Sequence, residues 1–178
     1  MAKQNVNHPV YDEQAFNNLV RENHQRIYGL FRRMVGSQAE ADDLTQETFI
    51  KVYKNLPKFR QESSIQTWIY RIAINQGLNY LRRMKIRQTL GLELADSAAE
   101  PDEFQSNQAN RNLLRRVIAK LPPRQQMVII LRSFQELSFK EIAAVLNITE
   151  NAAKVNFSHA VKNLREIFLK MGVTYENL

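Results

Sequence analysis

Three serine-led motifs constrain the fold of this chain more than any other feature. Ser37-x-x-Glu40, Ser63-x-x-Gln66 and Ser138-x-x-Glu141 each precede a run in which apolar residues recur at helical spacing. In such a capping box the serine and the acid or amide satisfy free backbone N–H groups, so the motif marks the start of a helix. Strand-like alternation is absent, and the 178 residues include only five glycines and five prolines. A scarcity of both disfavours turn-rich sheet folds, and the sequence therefore predicts an all-α protein.

The helical patterns fall into two groups. The first is expected at 12–35, ended by Gly36, then at 37–56, stopped by Pro57, and then from Ser63 to about Met84. The second is expected at 109–121, 124–135, 139–146 and 150–170. Helical spacing predicts inward-facing residues in the second and third helices, namely Phe49, Val52, Tyr53 and Leu56, then Ile65, Ile69, Ile72 and Ala73.

The segment between the two groups has a different composition. Residues 88–108 are rich in Ala, Ser and Gln. They contain no base and five acids, namely Glu93, Asp96, Glu100, Asp102 and Glu103. We interpret this segment as a flexible acidic linker of low order. The chain is thus expected to form two small helical domains, 10–87 and 109–173, joined by the linker 88–108.

The net charge of +7 hides a strong order along the chain. Residues 109–178 carry 11 bases and 5 acids, whereas residues 38–50 carry four acids and no base, and 51–87 carry nine bases and one acid. Alternation of this kind predicts several distinct surfaces rather than one uniform coat for a polyanion. The basic excess still favours a nucleic-acid partner.

Several classes of function are excluded or disfavoured. The chain has no cysteine, so it holds no disulfide, no thiolate metal site and no cysteine nucleophile. Its three histidines are scattered and no carboxylate cluster fits acid–base chemistry, so we expect no cofactor, no metal and no enzyme activity. The polar start and the short apolar runs predict no signal peptide and no membrane insertion, which makes the cytoplasm the expected location.

Residues 139–161 have the spacing of a helix-turn-helix. Asn147 stands where a left-handed residue is needed, Thr149 is a candidate N-cap, and Ala153 falls at the predicted helix crossing. An ordinary helical pair with a solvated basic face is the alternative. If the motif binds DNA, the exposed candidates are Thr149, Glu150, Asn151, Ala152, Lys154, Val155, Asn156 and His159.

Two patterns stand out in the N-terminal half. Asp43, Gln46, Glu47 and Ile50 share one helix face, on which an exposed isoleucine flanked by acids is typical of a protein-docking surface. A solvated helix face is the alternative. The next segment interleaves aromatics, amides and bases, which suits single-stranded DNA, although Trp68 could equally be a core residue. The candidates there are Arg60, Gln61, Glu62, Ser63, Ser64, Trp68, Arg71, Asn75, Asn79, Arg82 and Arg83, of which 60–64 could form a pocket for an unstacked base.

The order of these motifs resembles one family. DDLTQETFIKVYKNLPKFR, SSIQTWIYRIAINQGLNYLRR, an acidic linker and LPPRQQMVIILRSFQELSFKEIAAVLNITENAAKV together resemble a bacterial extracytoplasmic-function sigma factor over about residues 12–170. The resemblance implies sigma domain two, a linker and sigma domain four. It implies that Asp43, Gln46, Glu47 and Ile50 dock on the clamp helices of core RNA polymerase. It also implies that the second domain touches the polymerase flap, and that an anti-sigma factor is a further partner.

The same resemblance implies how promoter DNA, both duplex and single-stranded, would be read. The residues from Arg60 to Arg83 named above would recognise and open the minus-ten element, and the helix-turn-helix would hold the minus-thirty-five element. The chain departs from the family pattern at Asn156, where an arginine is usual, and at Asn79, where an acid is frequent. We therefore expect its promoter sequence to differ from those of better-known members.

Two rival functions remain open at this stage. A stand-alone helix-turn-helix regulator would explain the C-terminal half but not the acidic helix. A sigma mimic of a partner-switching system would bind an anti-sigma factor without supporting transcription.

Overall fold

The computed structural model describes residues 13–35, 37–91 and 108–172. Throughout these ranges the regular elements are helical, which confirms the predicted all-α fold. The helices are α1 (Glu13–Met34), α2 (Gln38–Asn55), α3 (Ile65–Thr89), α4 (Gln108–Ala119), α5 (Pro123–Ser133), α6 (Phe139–Leu146) and α7 (Glu150–Lys170), and a single 3₁₀ turn (Leu56–Lys58) follows α2. The acidic stretch of the predicted linker, Glu93 to Glu103, lies outside the described residues, as do Gly36 and the predicted domain ends at 10 and 173.

The first unit packs α1, α2 and α3 around one another. Leu30, Phe31 and Val52 are fully buried between them, together with Ile69 and Ala73. Full burial of an aliphatic or phenyl side chain of this kind contributes roughly 1.5–3 kcal/mol each. This unit therefore fixes the relative positions of the outer faces of α2 and α3.

The second unit is built around α5 and α7, with α4 and α6 against them. Ser138 accepts the backbone N–H of Glu141, and the Glu141 carboxylate accepts the N–H of Ser138, which confirms this capping box. Asn147 ends α6 at φ 53° and ψ 53°, Thr149 caps α7, and Ala153 is fully buried. Each local feature predicted for the helix-turn-helix is therefore present.

The two units are in contact in this structure. Helix α3 packs on α6, and α1 touches α4 and α5. Their buried apolar residues form one continuous cluster. The chain is thus folded back on itself, an arrangement that the sequence did not reveal.

Helix starts and ends differ from expectation at several places. Ser64, not Ser63, caps α3 by accepting the N–H of Thr67, because the helix begins at Ile65. At α2, Ser37 accepts the N–H of Glu40, but the Glu40 carboxylate accepts the Tyr80 hydroxyl. Burial, and next this hydrogen bond, raise the pKa of Tyr80. Helix α3 also continues to Thr89, beyond the predicted end at Met84 and two residues into the predicted linker.

Tyr53 was wrongly placed in the core stripe of α2. Its side chain is 61% exposed, whereas its stripe neighbours Phe49, Val52 and Leu56 are buried. The Phe16 and Tyr53 rings pack edge to face, with their centroids 5.0 Å apart. Tyr53 therefore lies at the border of the stripe, beside Phe16 of α1.

Candidate nucleic-acid interface

The outer face of α2, which we call the acidic face, presents Asp43, Gln46, Glu47 and Ile50 to solvent. All four are exposed, and Ile50 is 52% exposed. Tyr53 lies one turn further along and adds a second exposed apolar group, a residue that sequence reasoning had assigned to the core. An apolar centre flanked by carboxylates suits a partner that is basic around an apolar contact.

A cavity of about 330 Å³ lies between α2 and α3, and we call it the α2–α3 cavity. Its volume is within the range of small-molecule pockets. Three residues predicted for the minus-ten set line the cavity on the α3 side, namely Trp68, Asn75 and Asn79. On the opposite wall, α2 and the 3₁₀ turn add cations and an amide. The complete lining is Lys51, Asn55, Lys58, Trp68, Ile72, Asn75, Gln76 and Asn79.

Lys51, Asn55 and Lys58 were missed by sequence reasoning. Because they are spaced i, i+4 and i+7, they lie on one side of the chain. This spacing within the basic segment could have identified them from the sequence. Two lysines beside four amides give the cavity the polarity that a phosphate and a base edge together require. Ile72, predicted to point inward, is half-buried and forms the apolar part of the cavity wall.

One buried amide connects the cavity to the acidic face. Gln76 is 6% exposed; its Oε1 accepts a hydrogen bond from Lys51 Nζ, and its Nε2 donates to Glu47 Oε2 at 3.1 Å. Glu47 belongs to the acidic face and Lys51 to the cavity. The two surfaces therefore share a hydrogen-bonded link across α2 and α3.

Trp68 packs against the core on one side and faces the α2–α3 cavity on the other. One side of its ring packs against buried Phe59, with ring centroids 5.1 Å apart, and the indole also lines the α2–α3 cavity. It is half-buried as a result. A fixed aromatic wall of this kind can stack on an unpaired base.

The loop from Arg60 to Ser64 is mostly exposed, and only Ser63 is half-buried. Gln61 has φ 56°, an uncommon value for a residue other than glycine, which turns the chain after Phe59. None of the five loop residues lines the α2–α3 cavity. The loop adjoins the cavity through Lys58 but does not form it.

The arginines predicted for the minus-ten set have different surroundings. Arg82 is exposed and its guanidinium lies 3.4 Å from Asn79 Oδ1, and Arg83 is also exposed. Arg71 is half-buried and points away from the cavity, because its Nε donates to the backbone carbonyl of Ala144 in α6 at 2.8 Å. The structure therefore groups Asn75, Asn79 and Arg82 and separates Arg71 from them.

The start of α7 is exposed on its outer side. Thr149 is committed to capping, since its Oγ1 accepts the N–H of Ala152. Asn156 donates its amide to the Ala152 carbonyl at 2.8 Å, so its free acceptor is Oδ1. Val155 is 43% exposed and offers an apolar contact of the kind that recognises a thymine methyl. Asn151 and His159 are exposed, and Ala152 is half-buried.

An ion pair joins the two charged side chains at the start of α7. Lys154 Nζ lies 2.7 Å from Glu150 Oε1, one turn away. The hydrogen bond and charge of Lys154 lower the pKa of Glu150. The lysine predicted to meet phosphate is thus already partnered by a carboxylate.

No group of three or more His, Asp or Glu side chains that could hold a metal occurs in the part of the chain that the structure describes. Over the same ranges, no helix combines the length and the hydropathy required to cross a bilayer.

Comparisons with known proteins agree with this arrangement. The Sigma-70 region 2 family matches residues 19–86, which hold the acidic face and the α2–α3 cavity. The Sigma-70 region 4 family matches residues 111–164, which hold the helix-turn-helix.

Curated relatives match along most of their length. The chain is 33% identical over 168 residues to the ECF RNA polymerase sigma factor SigW of Bacillus subtilis, covering 87% of this chain and 89% of that one. It is 34% identical over 148 residues to the ECF RNA polymerase sigma-E factor of Escherichia coli K12, covering 76% and 77%.

Solved structures show the same fold. CnrH, determined with the cytosolic domain of CnrY, superposes with a TM-score of 0.70 at 20% identity, over 88% of this chain and 89% of that one. The sigma factor RpoE of Bartonella quintana, determined with the anti-sigma factor NepR, gives a TM-score of 0.67 at 18% identity, over 87% and 97%. With both family matches and the curated relatives, the chain belongs to the extracytoplasmic-function RNA polymerase sigma factors.

Proposed function

We propose that this chain directs core RNA polymerase to a promoter through three surfaces. The acidic face of α2 docks on the clamp helices of the polymerase. The α2–α3 cavity and the exposed residues of α3 receive the single-stranded minus-ten element. Helix α7 enters the major groove of the minus-thirty-five element, and the second unit touches the flap.

The observation that carries this proposal is the link through Gln76. A docking surface and a cavity for an unpaired base share α2, and one buried amide bonds Glu47 on the first and Lys51 on the second. An isolated helix-turn-helix regulator has no use for such a pair of surfaces. A chain that joins polymerase to a melted strand needs both, in fixed relation to each other.

The energetics favour a division of labour between this chain and the polymerase. Opening a base-pair step costs about 1.4 kcal/mol. Stacking one captured base returns about 1–3 kcal/mol. One captured base in the α2–α3 cavity, with Trp68 as its wall, can therefore start strand opening, but a whole bubble also requires polymerase contacts. The free chain is accordingly expected to bind promoter DNA weakly.

The remaining assignments follow from these roles. We propose that 10–87 and 109–173 act as sigma domains two and four, and that 88–108, into which α3 continues as far as Thr89, connects them. The structural neighbours named above were solved with a CnrY domain and with an anti-sigma factor, so an anti-sigma partner is proposed here as well. The work of the chain would then take place in the cytoplasm, without enzyme activity of its own.

The decisive experiment changes the charge of the acidic face. Replacing Asp43 and Glu47 with lysine should weaken binding to core polymerase by at least 100-fold in a pull-down titration, because attraction becomes repulsion. The matched control carries Glu22→Lys and Glu166→Lys, which makes the same change in net charge at exposed sites on other helices. Circular dichroism should show both variants folded.

Transcription separates the rival functions. Run-off transcription with core polymerase over a randomised promoter library should depend on the wild-type chain and fail with the Asp43, Glu47 variant. Tight binding to duplex DNA without any effect on initiation would favour the stand-alone regulator. Binding to an anti-sigma factor without transcription would favour the mimic.

A further inference from the structure

Gln76 of α3 lies between two opposite charges of α2. Glu47 and Lys51 are one helical turn apart with the acid nearer the N-terminus, a spacing at which such side chains commonly pair directly. In the part of the chain that the structure describes, these two residues form no direct ion pair. The Gln76 amide is bonded to both instead: its Oε1 accepts from Lys51 Nζ, and its Nε2 donates to Glu47 Oε2 at 3.1 Å.

Helix α7 contains the same spacing without an amide in between. Glu150 and Lys154 have the same order along the helix, and Lys154 Nζ lies 2.7 Å from Glu150 Oε1. There the lysine lies back along its own helix, and a carboxylate compensates its charge. The comparison indicates that Gln76, and not the spacing itself, separates Lys51 from Glu47.

The Gln76 amide has only one orientation that satisfies both neighbours. An ammonium can only donate hydrogen bonds and a carboxylate can only accept them, so the oxygen of the amide must face Lys51 and its nitrogen must face Glu47. Gln76 is 6% exposed and bonded at both ends, so its burial leaves no polar group unsatisfied. Its carbonyl therefore fixes the place of the Lys51 ammonium.

That place is the wall of the α2–α3 cavity, which Lys51 and Gln76 both line. Because Lys51 donates to a neutral amide, no bonded carboxylate compensates its charge. An ammonium has three N–H donors, and Gln76 uses one of them, so the others can bind an anion in the cavity. Direct pairing with Glu47 would draw the ammonium toward the acidic face and weaken its attraction for a phosphate.

We propose that Gln76 is a positioning residue for DNA, which holds Lys51 in the α2–α3 cavity so that its ammonium binds a phosphate of the captured strand. Gln76 acts through Lys51 and not by reading a base. This inference rests on the proposed function, since the captured strand is that of the minus-ten element.

The test measures binding of a single strand to preformed holoenzyme over a range of salt concentrations. The probe is the minus-ten strand of a promoter selected by run-off transcription from the randomised library. Gln76→Met keeps the length of the side chain and removes both bonds. It should weaken binding about fivefold at about 0.1 M salt and lower the slope of log K against log salt by about 0.7, the equivalent of one phosphate contact on a single strand. Lys51→Met should produce the same two changes.

A double-mutant cycle separates positioning from packing. Gln76→Met added to Lys51→Met should cost no further affinity, because the lysine that it positions is already absent. Lys58→Met is the matched control, since Lys58 lines the same cavity while Gln76 is bonded to Lys51 and Glu47. In the Lys58→Met background, Gln76→Met should still weaken binding by its full fivefold or so.

The outcomes distinguish this role from the proposed function. A wild-type salt slope in Gln76→Met, or an equal loss of affinity in the Lys51→Met background, would overturn the positioning role and leave Gln76 as a packing residue. Circular dichroism checks the fold of each variant, and Gln76→Leu takes the place of Gln76→Met if the latter does not fold. A library from which no promoter is selected would overturn the proposed function, and this inference with it.

Discussion

Gly77 of α3 lies directly against Met34 of α1. A Cβ at position 77 would stand 2.2 Å from Met34 Cε and 2.8 Å from Met34 Sδ, and Met34 is only 4% exposed. The third-nearest atom, Phe31 Cε1, would be at 3.3 Å. The close approach of α1 and α3, which positions the α2–α3 cavity, therefore depends on the missing side chain.

We predict that Gly77→Ala destabilises the chain by up to about 2 kcal/mol. Helix propensity alone would favour alanine by about 1 kcal/mol, but overpacking of a filled core costs about 1–3 kcal/mol. The Met34 side chain has no exposed direction in which to move, so the steric cost should win. Urea unfolding followed by circular dichroism measures the difference.

The matched control for this prediction is Gly29→Ala on α1. There the added Cβ would meet only the side-chain ends of Arg33 at 3.1 Å and Gln135 at 3.9 Å, which is less crowded than position 77, so the loss of stability should be smaller than that of Gly77→Ala. Met34→Val removes the atoms that collide with residue 77, and it should offset part of the loss from Gly77→Ala. A Gly77→Ala chain at least as stable as the wild type would contradict the packing argument.

Asn147 supplies the left-handed turn of the helix-turn-helix. At φ 53° a residue with a branched Cβ is strained, whereas glycine is not. Asn147→Gly should therefore change the free energy of unfolding by less than about 0.5 kcal/mol, Asn147→Ala should lower it by about 1 kcal/mol, and Asn147→Val should lower it further. Thermal unfolding of the three variants should give melting temperatures in that order, and equal values for glycine and valine would refute the role of the turn.

The capping box at α6 makes stability depend on pH. Hydrogen bonds from the Ser138 hydroxyl and backbone hold the pKa of Glu141 below its ordinary value. A carboxyl with a lowered folded-state pKa stabilises the fold above its unfolded pKa of about 4.3, and this contribution disappears as the pH falls through the folded value. Glu141→Gln should therefore flatten the loss of stability on the acid side of about pH 4.3.

Two variants test whether this pH dependence comes from the cap. Ser138→Ala should cost about 1 kcal/mol at pH 7 and remove the same acid dependence. Glu166→Gln on α7 changes an exposed carboxylate outside this cap and should keep the wild-type profile. Urea titrations at pH 6 and pH 3.5 measure the pH dependence of stability for each variant. If the Glu141→Gln and wild-type profiles coincide, the Glu141 carboxylate is excluded as the cause of this dependence.

The sequence predicted the second unit in more detail than the first because that unit obeys local rules. The α6 cap at Ser138, the left-handed Asn147 and the α7 cap at Thr149 each depend on neighbours within four residues. Ser64 caps α3 in place of the predicted Ser63, because the positive φ of Gln61 and the packing of Phe59 on Trp68 fix the loop before the helix. Such tertiary restraints cannot be found in a four-residue pattern.

The composition of the α2–α3 cavity shows the same limit. Asn75 and Asn79 were identified because they share a face of α3, but the lysines opposite them depend on the register between two helices. Arg71 was grouped with them because it is close on the helical wheel, and only the docking of α6 reveals that it points the other way. Contacts between the units, such as Tyr70 with Gln135, leave no trace in sequence spacing.

The ion pair at the start of α7 leads to a prediction about salt dependence. Glu150 holds Lys154 at 2.7 Å and adds a negative charge on the side proposed to face phosphates. Glu150→Gln should therefore free the lysine, tighten binding of the reconstituted holoenzyme to a minus-thirty-five duplex, and steepen the slope of log K against log salt by about 0.9.

Adding Lys154→Ala to that variant should return the slope to near the wild-type value, whereas Lys162→Ala, further along the helix, should not change the effect of Glu150→Gln. Filter-binding titrations from 50 to 300 mM salt give the slopes, and a slope unaffected by Glu150→Gln would mean that this end of α7 does not face DNA.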